Sequence, residues 1–258
     1  MNDTSDATQT LQEMDKQHFL HPWQHFDSMR KDGALVVSKA EGAYIYDSEG
    51  NRYLDGLGGM WCVNVGYGRD ELADVMAEQA RQLPYFSTFT DVTNAPAAEL
   101  AAKLSELAPG SINHVIYSSS GSAANDSAIR LVHYYQSRRG KPQKKHIISR
   151  ESAYHGSTYL GISLGGAKDK ATDHFQYIDD FIHHISAPNV YRRPEGMTVD
   201  AFTNELVDEF EAKVETLGAD RVAAFLAEPI LGSGGVMVPP PGYLQRIRQR
   251  RGPRQAAG

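Results

Sequence analysis

Ser119, Ser120, Gly121 and Ser122 stand directly before a helical stretch that runs to about Gln136. Small residues at a helix start leave the first backbone amides accessible. These amides, the positive end of the helix dipole and the serine hydroxyls together suit a phosphate. The segment is neither a Walker A loop nor a G-x-G-x-x-G sequence, which disfavours a nucleotide. An ordinary Ser/Gly helix N-cap explains the same residues without any ligand.

Two further polar loops could contribute to the same site. The first consists of Tyr154, His155, Gly156, Ser157 and Thr158. The second begins with Glu228, which ends an apolar run. Because open α/β sheets bind ligands at the carboxyl edge of their strands, we expect an aromatic ring, an imidazole and a carboxylate there. A lone glutamate at a strand end is usually just solvated, so it gains significance only beside the other two loops.

The elements that must position these loops alternate between strands and helices. Apolar runs predict strands at 114–118, 145–149 and 221–230, and a four-residue spacing predicts a helix that ends at Gly218. Strands that are apolar throughout and separated by helices indicate βαβ units and a mainly parallel sheet, hence an α/β fold. Upstream, the pattern predicts a short amphipathic segment at 10–20, a hairpin at 42–55 with its turn at 47–51, and helices at 72–83 and 100–107.

The composition is that of a folded protein. The chain has 258 residues, of which 41% are hydrophobic, enough for about one domain or one and a half. The longest apolar run, 222–227, is far shorter than the ~20 residues that cross a bilayer. The N-terminus is polar and acidic, and Cys62 is the single cysteine. We therefore expect a cytoplasmic protein without a leader, a membrane span or an internal disulfide.

The formal net charge of −6 combines two unlike parts. Residues 246–258 contain five arginines and no acid, so the first 245 residues carry 21 basic and 32 acidic groups, a net charge of −11. An acidic body does not attract nucleic acid or an anionic membrane, because phosphate contacts need clustered lysines or arginines. The arginine-rich end could act as a small basic arm, but no aromatic residue interleaves with its arginines, which favours an unfolded tail.

Four segments in fixed order resemble the class III pyridoxal-phosphate-dependent aminotransferases of the omega-transaminase kind. They are Trp61–Asn64 with Gly66–Gly68, Ser120–Asn125, Tyr154–Thr158, and Ala227–Ile230 with Gly234–Val236. The resemblance runs from about His18 to about Gln249. It implies fold type I, with a large domain around a mainly parallel central sheet and a small α+β domain. It also implies a homodimer and transfer of an amino group from an amine or omega-amino acid to a 2-oxo acid such as pyruvate.

The resemblance also implies a cofactor, pyridoxal 5'-phosphate, and roles for individual residues. Its binding residues would be Ser120, Gly121, Ser122, Tyr154, His155 and Glu228. The serine–glycine segment would hold the phosphate, Tyr154 would stack on the pyridine ring beside His155, and Glu228 would lie near the ring hydroxyl. The substrate pocket would be walled by Trp23, Trp61 and Phe89. Plain core packing is the alternative for Trp61 and Phe89. Ala123 replaces the usual glutamate of the family motif, which leaves phosphate binding intact.

Transamination needs a lysine that holds the cofactor and moves a proton, and a carboxylate that keeps the pyridine nitrogen protonated. By the resemblance both would lie downstream of Ala227–Ile230, and the chain as written ends at Gly258 before either. None of its ten lysines stands in a matching context; they are residues 16, 31, 39, 103, 141, 144, 145, 168, 170 and 213. We therefore expect a fold that is incomplete at the C-terminus and a chain that is inactive alone.

The resulting domain prediction has three parts. Residues 1–70 would form an N-terminal segment and part of the small domain, residues 71–249 the first part of the large cofactor-binding domain, and residues 250–258 an aberrant basic tail. The alternative functions are a non-catalytic pyridoxal-phosphate- or phosphate-binding remnant, or an unstable fragment. A metal protein could be built from the histidines at 18, 21 and 25 or at 183 and 184. Pro22 breaks the helical spacing of the first set, and no cysteine or acid completes a tetrahedral set, so we expect no metal.

Overall fold

The computed structural model describes residues 2–166 and 174–250, and the chain divides into two compact units, residues 1–100 and 101–258. Lys168, Lys170 and the arginine-rich residues 251–258 lie outside the described residues. Among the helices of the described part, none combines the length and the apolar character needed to cross a membrane.

The first unit combines helices with a small antiparallel sheet. Its elements are α1 (Asn2–His18), α2 (Phe26–Asp32), β1 (Val37–Glu41), β2 (Tyr44–Asp47), β3 (Arg52–Leu54), α3 (Gly58–Trp61) and α4 (Asp70–Gln82), and α5 (Ala95–Leu107) spans the boundary between the units. Helices α4 and α5 confirm the predictions for 72–83 and 100–107. Helix α1 begins earlier than the predicted segment 10–20, because the polar residues before it continue the helix.

The predicted hairpin is formed by β2 and β3, which pair antiparallel, and β1 adds to β2 on the other side. Its turn is organised by the buried Asp47 carboxylate. That carboxylate accepts hydrogen bonds from the Glu49 amide, the Asn51 amide and side chain, and the Tyr53 hydroxyl. These bonds, above all the one from the Asn51 side chain, lower the pKa of Asp47. Gly50 supplies the positive φ of 88° that the turn requires.

The second unit is a layered α/β structure. Its elements are α6 (Gly121–Arg138), β4 (His146–Arg150), α7 (Tyr159–Leu164), β5 (Ile182–Ile185), a 3-10 turn (Val190–Arg192), α8 (Val199–Leu217), β6 (Val222–Phe225) and α9 (Tyr243–Gln249). The three strands are all parallel in the order β5-β4-β6, which confirms the predicted parallel sheet.

The central strand β4 shows why the sheet carries helices on both faces. All five of its residues are buried, and successive side chains point to opposite faces. Ile147 packs in one apolar cluster with Ile129 of α6 and Leu164 of α7. Ile148 packs in a second cluster with residues of α8 and α9, including Phe210 and Ile247. The carboxyl end of β4 is therefore held between two packed layers, which fixes the loop that follows it.

Two strand predictions were wrong in detail. Residues 114–118 do not form a strand, and Ile116 is 64% exposed. A β-prone run becomes a strand only where a neighbour supplies a hydrogen-bonded ladder, and none of the described strands pairs with this one. The strand predicted over 221–230 is shorter, because it ends at Phe225, and among the described residues beyond it only the Leu226 amide still makes a backbone hydrogen bond to β4, at the Ile148 carbonyl. Strand β5 was not predicted, since two histidines interrupt its apolar pattern.

Candidate functional site

The N-terminus of α6 is built around Ser120. Its hydroxyl accepts a hydrogen bond from the Ala123 amide at 3.1 Å, so Ser120 is the N-cap of an 18-residue helix. The amides of Gly121 and Ser122 precede the internal ladder of the helix. Gly121 is exposed, and a Cβ built on it would meet no atom within 4 Å, so solvent reaches the start of the helix. The predicted N-cap is therefore present, and it faces an accessible region of positive potential.

The loop 154–158 lies directly against this helix start. The Ser122 hydroxyl accepts the Ser157 amide at 3.1 Å, and the Asn125 side chain donates to the His155 carbonyl at 2.8 Å. The Thr158 hydroxyl donates to the Asp126 carboxylate at 2.9 Å. Three bonds from the first two turns of α6 thus attach the loop after β4, so two of the three predicted polar segments form one structure.

Gly156 makes that attachment possible. Its φ is +128°, and a Cβ at this position would lie 2.6 Å from the Ser122 Oγ and 2.9 Å from the Ser122 Cα. Any larger residue would push the loop away from the helix start. The approach of the two backbones therefore depends on glycine at this position.

His155 and Tyr154 have contrasting environments. His155 is buried and its Nε2 lies 3.1 Å from the Ser149 hydroxyl on β4. Burial lowers the pKa of His155, opposed by the charge of Glu228 and reinforced by that of Arg150. The imidazole is therefore neutral near pH 7. Tyr154 is half exposed, so a ligand can reach its side chain.

Glu228 connects the third polar segment to the other two. One carboxylate oxygen accepts the Tyr154 amide at 3.0 Å, and the other accepts the Gly232 amide at 2.9 Å. Its backbone carbonyl accepts a bond from the Arg150 guanidinium. The structure thus brings together six of the nine residues predicted for binding, and all six belong to the second unit.

The three residues predicted for a substrate pocket lie in the first unit. Trp23 is 88% exposed, Trp61 54% and Phe89 82%, so none is packed in a core. Their proposed role as a pocket wall stays a prediction. Residues 2–166 and 174–250 contain no group of three or more His, Cys, Asp or Glu side chains placed so that they could hold a metal ion.

Sequence reasoning missed Ser149, Arg150 and Asp126. A signal for Arg150 was available, because it is a charged residue at the end of the predicted strand that contains Ile147 and Ile148. Asp126 stands four residues after Ser122 and therefore shares its helix face. The contacts between the loops could not be read from spacing, because they join residues 30 to 78 positions apart.

The comparisons with known proteins agree with this arrangement. Residues 27–250 match the family model of the class-III aminotransferases. This chain belongs to the class-III aminotransferase family, whose members use pyridoxal phosphate. It is 42% identical over 246 residues to putrescine–pyruvate aminotransferase of Pseudomonas aeruginosa, and the matched region covers 95% of this chain and 54% of that protein. It is 40% identical over 216 residues to diaminobutyrate–2-oxoglutarate transaminase of Halomonas elongata, covering 83% of this chain and 46% of that protein.

Solved structures show the same relationship. An (S)-enantioselective omega-transaminase from Thermomicrobium roseum superposes with a TM-score of 0.90 at 38% identity, covering 93% of this chain and 54% of that one. The omega-transaminase of Pseudomonas jessenii in complex with PMP gives a TM-score of 0.88 at 34% identity, covering 93% of this chain and 53% of that one. The fold of the pyridoxal-phosphate-dependent aminotransferases is thereby shown, and the chain spans about half the length of the relatives it matches.

Proposed function

We propose that these 258 residues carry the cofactor phosphate site of an aminotransferase that moves an amino group from an amine or omega-amino acid to a 2-oxo acid such as pyruvate. The observation that supports it best is the joint structure of the α6 N-terminus and the loop 154–158. There the Gly121 and Ser122 amides lie at the exposed, positive end of the helix dipole, and the Ser122 hydroxyl lies beside them against the loop. This arrangement fits a phosphate dianion.

Each residue of the site then has a definite task. The Ser122 hydroxyl accepts the Ser157 amide, and its own proton is free to be donated to a phosphate oxygen. Tyr154 offers a ring face to the pyridine ring, and Glu228 fixes the Tyr154 backbone. When bound, pyridoxal phosphate supplies the electron sink for transamination. The chain's own residues bind and orient that group, and a neutral His155 adds no charge beside it.

The printed activities of the relatives support the substrate classes. Putrescine–pyruvate aminotransferase has a diamine and a 2-oxo acid in its name, and the Halomonas protein has diaminobutyrate and 2-oxoglutarate. A homodimer and a cytoplasmic location are part of the same proposal. The division into residues 1–70, 71–249 and 250–258 also remains a proposal.

Cofactor binding is the first test of this function. We expect pyridoxal phosphate to bind the chain with a change in cofactor absorbance, and inorganic phosphate to displace it. The proposal would be contradicted if the chain is folded by circular dichroism but neither binds pyridoxal phosphate nor releases it on addition of inorganic phosphate. A phosphate that binds without competing with the cofactor would contradict it as well.

We further propose that the chain does not complete transamination alone, because none of its lysines stands in the family context. Borohydride reduction with cofactor, followed by mass mapping, tests this together with alanine formation from putrescine and pyruvate. We expect no stoichiometric adduct at a single lysine and no alanine. An adduct at a single lysine together with turnover would refute the proposal. Low-level adducts spread over many lysines would not, because a control sample reduced with pyridoxal should show the same reaction of surface lysines.

A further inference from the structure

Arg150 has an unusual place for an arginine. It is the last residue of β4, it is fully buried, and one of its Nη atoms donates to the Glu228 backbone carbonyl at 2.5 Å. Removing a guanidinium from water is costly, and burial lowers the pKa of Arg150. The contacts of the buried guanidinium must therefore offset the free energy that its removal from water costs.

The bond from Arg150 begins a closed chain of contacts. The Glu228 whose carbonyl it binds uses its carboxylate to accept the Tyr154 and Gly232 amides. Tyr154 stands only four residues after Arg150, so the contacts return to the loop in which they began. The two loops also pack tightly, since a side chain on Gly234 would collide with the Ser152 carbonyl.

The charge of Arg150 acts on the same loop. The ionisable groups that influence His155 are Glu228, which raises its pKa, and Arg150 and His184, which lower it. The buried hydroxyl of Tyr243 on α9 lies beside the guanidinium, and the interaction between the two groups opposes the effect of burial on the pKa of each. Tyr243 is therefore a second group that contacts the guanidinium of Arg150.

We propose that Arg150 is a positioning residue that holds the Glu228 backbone so that its carboxylate can fix the Tyr154 and Gly232 amides. Through them it sets the orientation of the loop 154–158 against α6. The inference concerns the ligand-free chain, and only its cofactor readout rests on the proposed function.

Hydrogen exchange of the full chain tests this residue by residue. In Arg150→Met we expect the Tyr154 and Gly232 amides to exchange at least about tenfold faster, while the Ile148 amide in the middle of β4 keeps its protection. We also expect the His155 titration, followed by NMR, to shift to higher pH because a nearby positive charge is gone. Gln136→Met is the matched control, since it replaces another buried polar side chain of the second unit, near the C-terminal end of α6, and it should change none of these signals.

A merely structural role predicts a different pattern. If all protected amides, Ile148 included, lose protection together, or if the Tyr154 and Gly232 amides do not change, the inference is overturned. Should Arg150→Met fail to fold, Arg150→Lys is read in the same way. Its shorter cation keeps the charge, so the two amides should lose protection selectively while the His155 titration stays in place, and a uniform loss would again overturn the inference.

Cofactor titration separates this inference from the proposed function. We expect Arg150→Met to bind pyridoxal phosphate about tenfold more weakly than the unsubstituted chain. If the unsubstituted chain binds no cofactor but the selective exchange pattern is observed, the proposed function fails and the positioning role stands. If the chain binds cofactor and Arg150→Met changes neither affinity nor exchange, the positioning role fails alone.

Discussion

At the scale of single residues, the site depends on small side chains that allow two backbones to meet. Ser122 is the central one, because its hydroxyl accepts the Ser157 amide and its amide belongs to the open start of α6. Gly156 lies against it at a distance that leaves no room for a Cβ. A helix N-cap alone would need only Ser120, so the contact between Ser122 and Gly156 distinguishes this site from an ordinary cap.

Gly156→Ala should destabilise the chain more than an equivalent change elsewhere. The new Cβ would meet the Ser122 backbone, which no rotamer change can relieve, in addition to the strain of its φ of +128°. We expect the free energy of unfolding in urea to fall by about 2–5 kcal/mol. Gly140→Ala is the matched control, because Gly140 also has a positive φ of +74° but no atom within 4 Å of its Cβ position. Its expected cost is about 1–2 kcal/mol, and equal losses for the two variants would contradict the account.

At the scale of elements, the parallel sheet brings the loops to one edge, and the sheet itself contains a titratable contact. The Nδ1 atom of His146 on β4 lies 2.8 Å from the Nε2 atom of His183 on β5, so the two rings share a hydrogen bond. Burial lowers the pKa of both from the ordinary 6.5. Arg221 lowers the pKa of His146 further and Asp180 raises it, while Lys213, His184 and Arg221 lower that of His183.

The pair should make the stability of the chain depend on pH. Above about pH 6.5 both rings are neutral in the folded and unfolded chains, so the full stability is present. Below it the unfolded chain binds protons that the folded chain resists, and the free energy of unfolding falls as the pH drops. The slope is at most about 1.4 kcal/mol per pH unit for each ring, and smaller for His183, which is only half buried.

His183→Gln tests this contribution. The amide can still hydrogen-bond to His146 but cannot titrate, so we expect a smaller loss of stability between pH 7.5 and pH 5.5 in urea unfolding. His114→Gln, which changes an exposed histidine of the same unit, should leave the loss unchanged. A loss in His183→Gln as large as in the unsubstituted chain would show that the pair does not contribute.

Much of the element order could be predicted from the sequence, because it follows local periodicity. The 3.6-residue spacing of leucines and the isoleucine pair within residues 145–149 are signals of this kind. Residues 114–118 and β5 could not be assigned in the same way, since strand formation depends on a neighbour that local sequence does not reveal. The Ser120–Ser122, Tyr154–Thr158 and Glu228 segments were predicted to meet at one edge of the sheet. The hydrogen bond from Arg150 to the Glu228 carbonyl joins positions 78 residues apart, and only the structure shows it.

At the scale of the whole molecule, the chain corresponds to about half of a class-III aminotransferase. The second unit holds all six of the predicted cofactor-binding residues, arranged around the carboxyl edge of its sheet. Trp23, Trp61 and Phe89, which are predicted to line the substrate pocket, belong to the first unit. We therefore propose that the second unit provides a preformed site for the cofactor phosphate. Cofactor binding depends on this site, regardless of which residues supply the remaining catalytic groups.

Comparing pyridoxal phosphate with phosphate-free pyridoxal tests that claim most directly. In fluorescence titrations at pH 7.5, we expect removal of the phosphate to weaken binding by at least about tenfold, and Ser122→Ala to weaken the binding of the phosphorylated form more than that of pyridoxal. Ser137→Ala, at the opposite end of α6, should bind both forms as the unsubstituted chain does. Equal affinity for the two forms, or a Ser122→Ala variant that binds pyridoxal phosphate as tightly as the unsubstituted chain, would contradict the account.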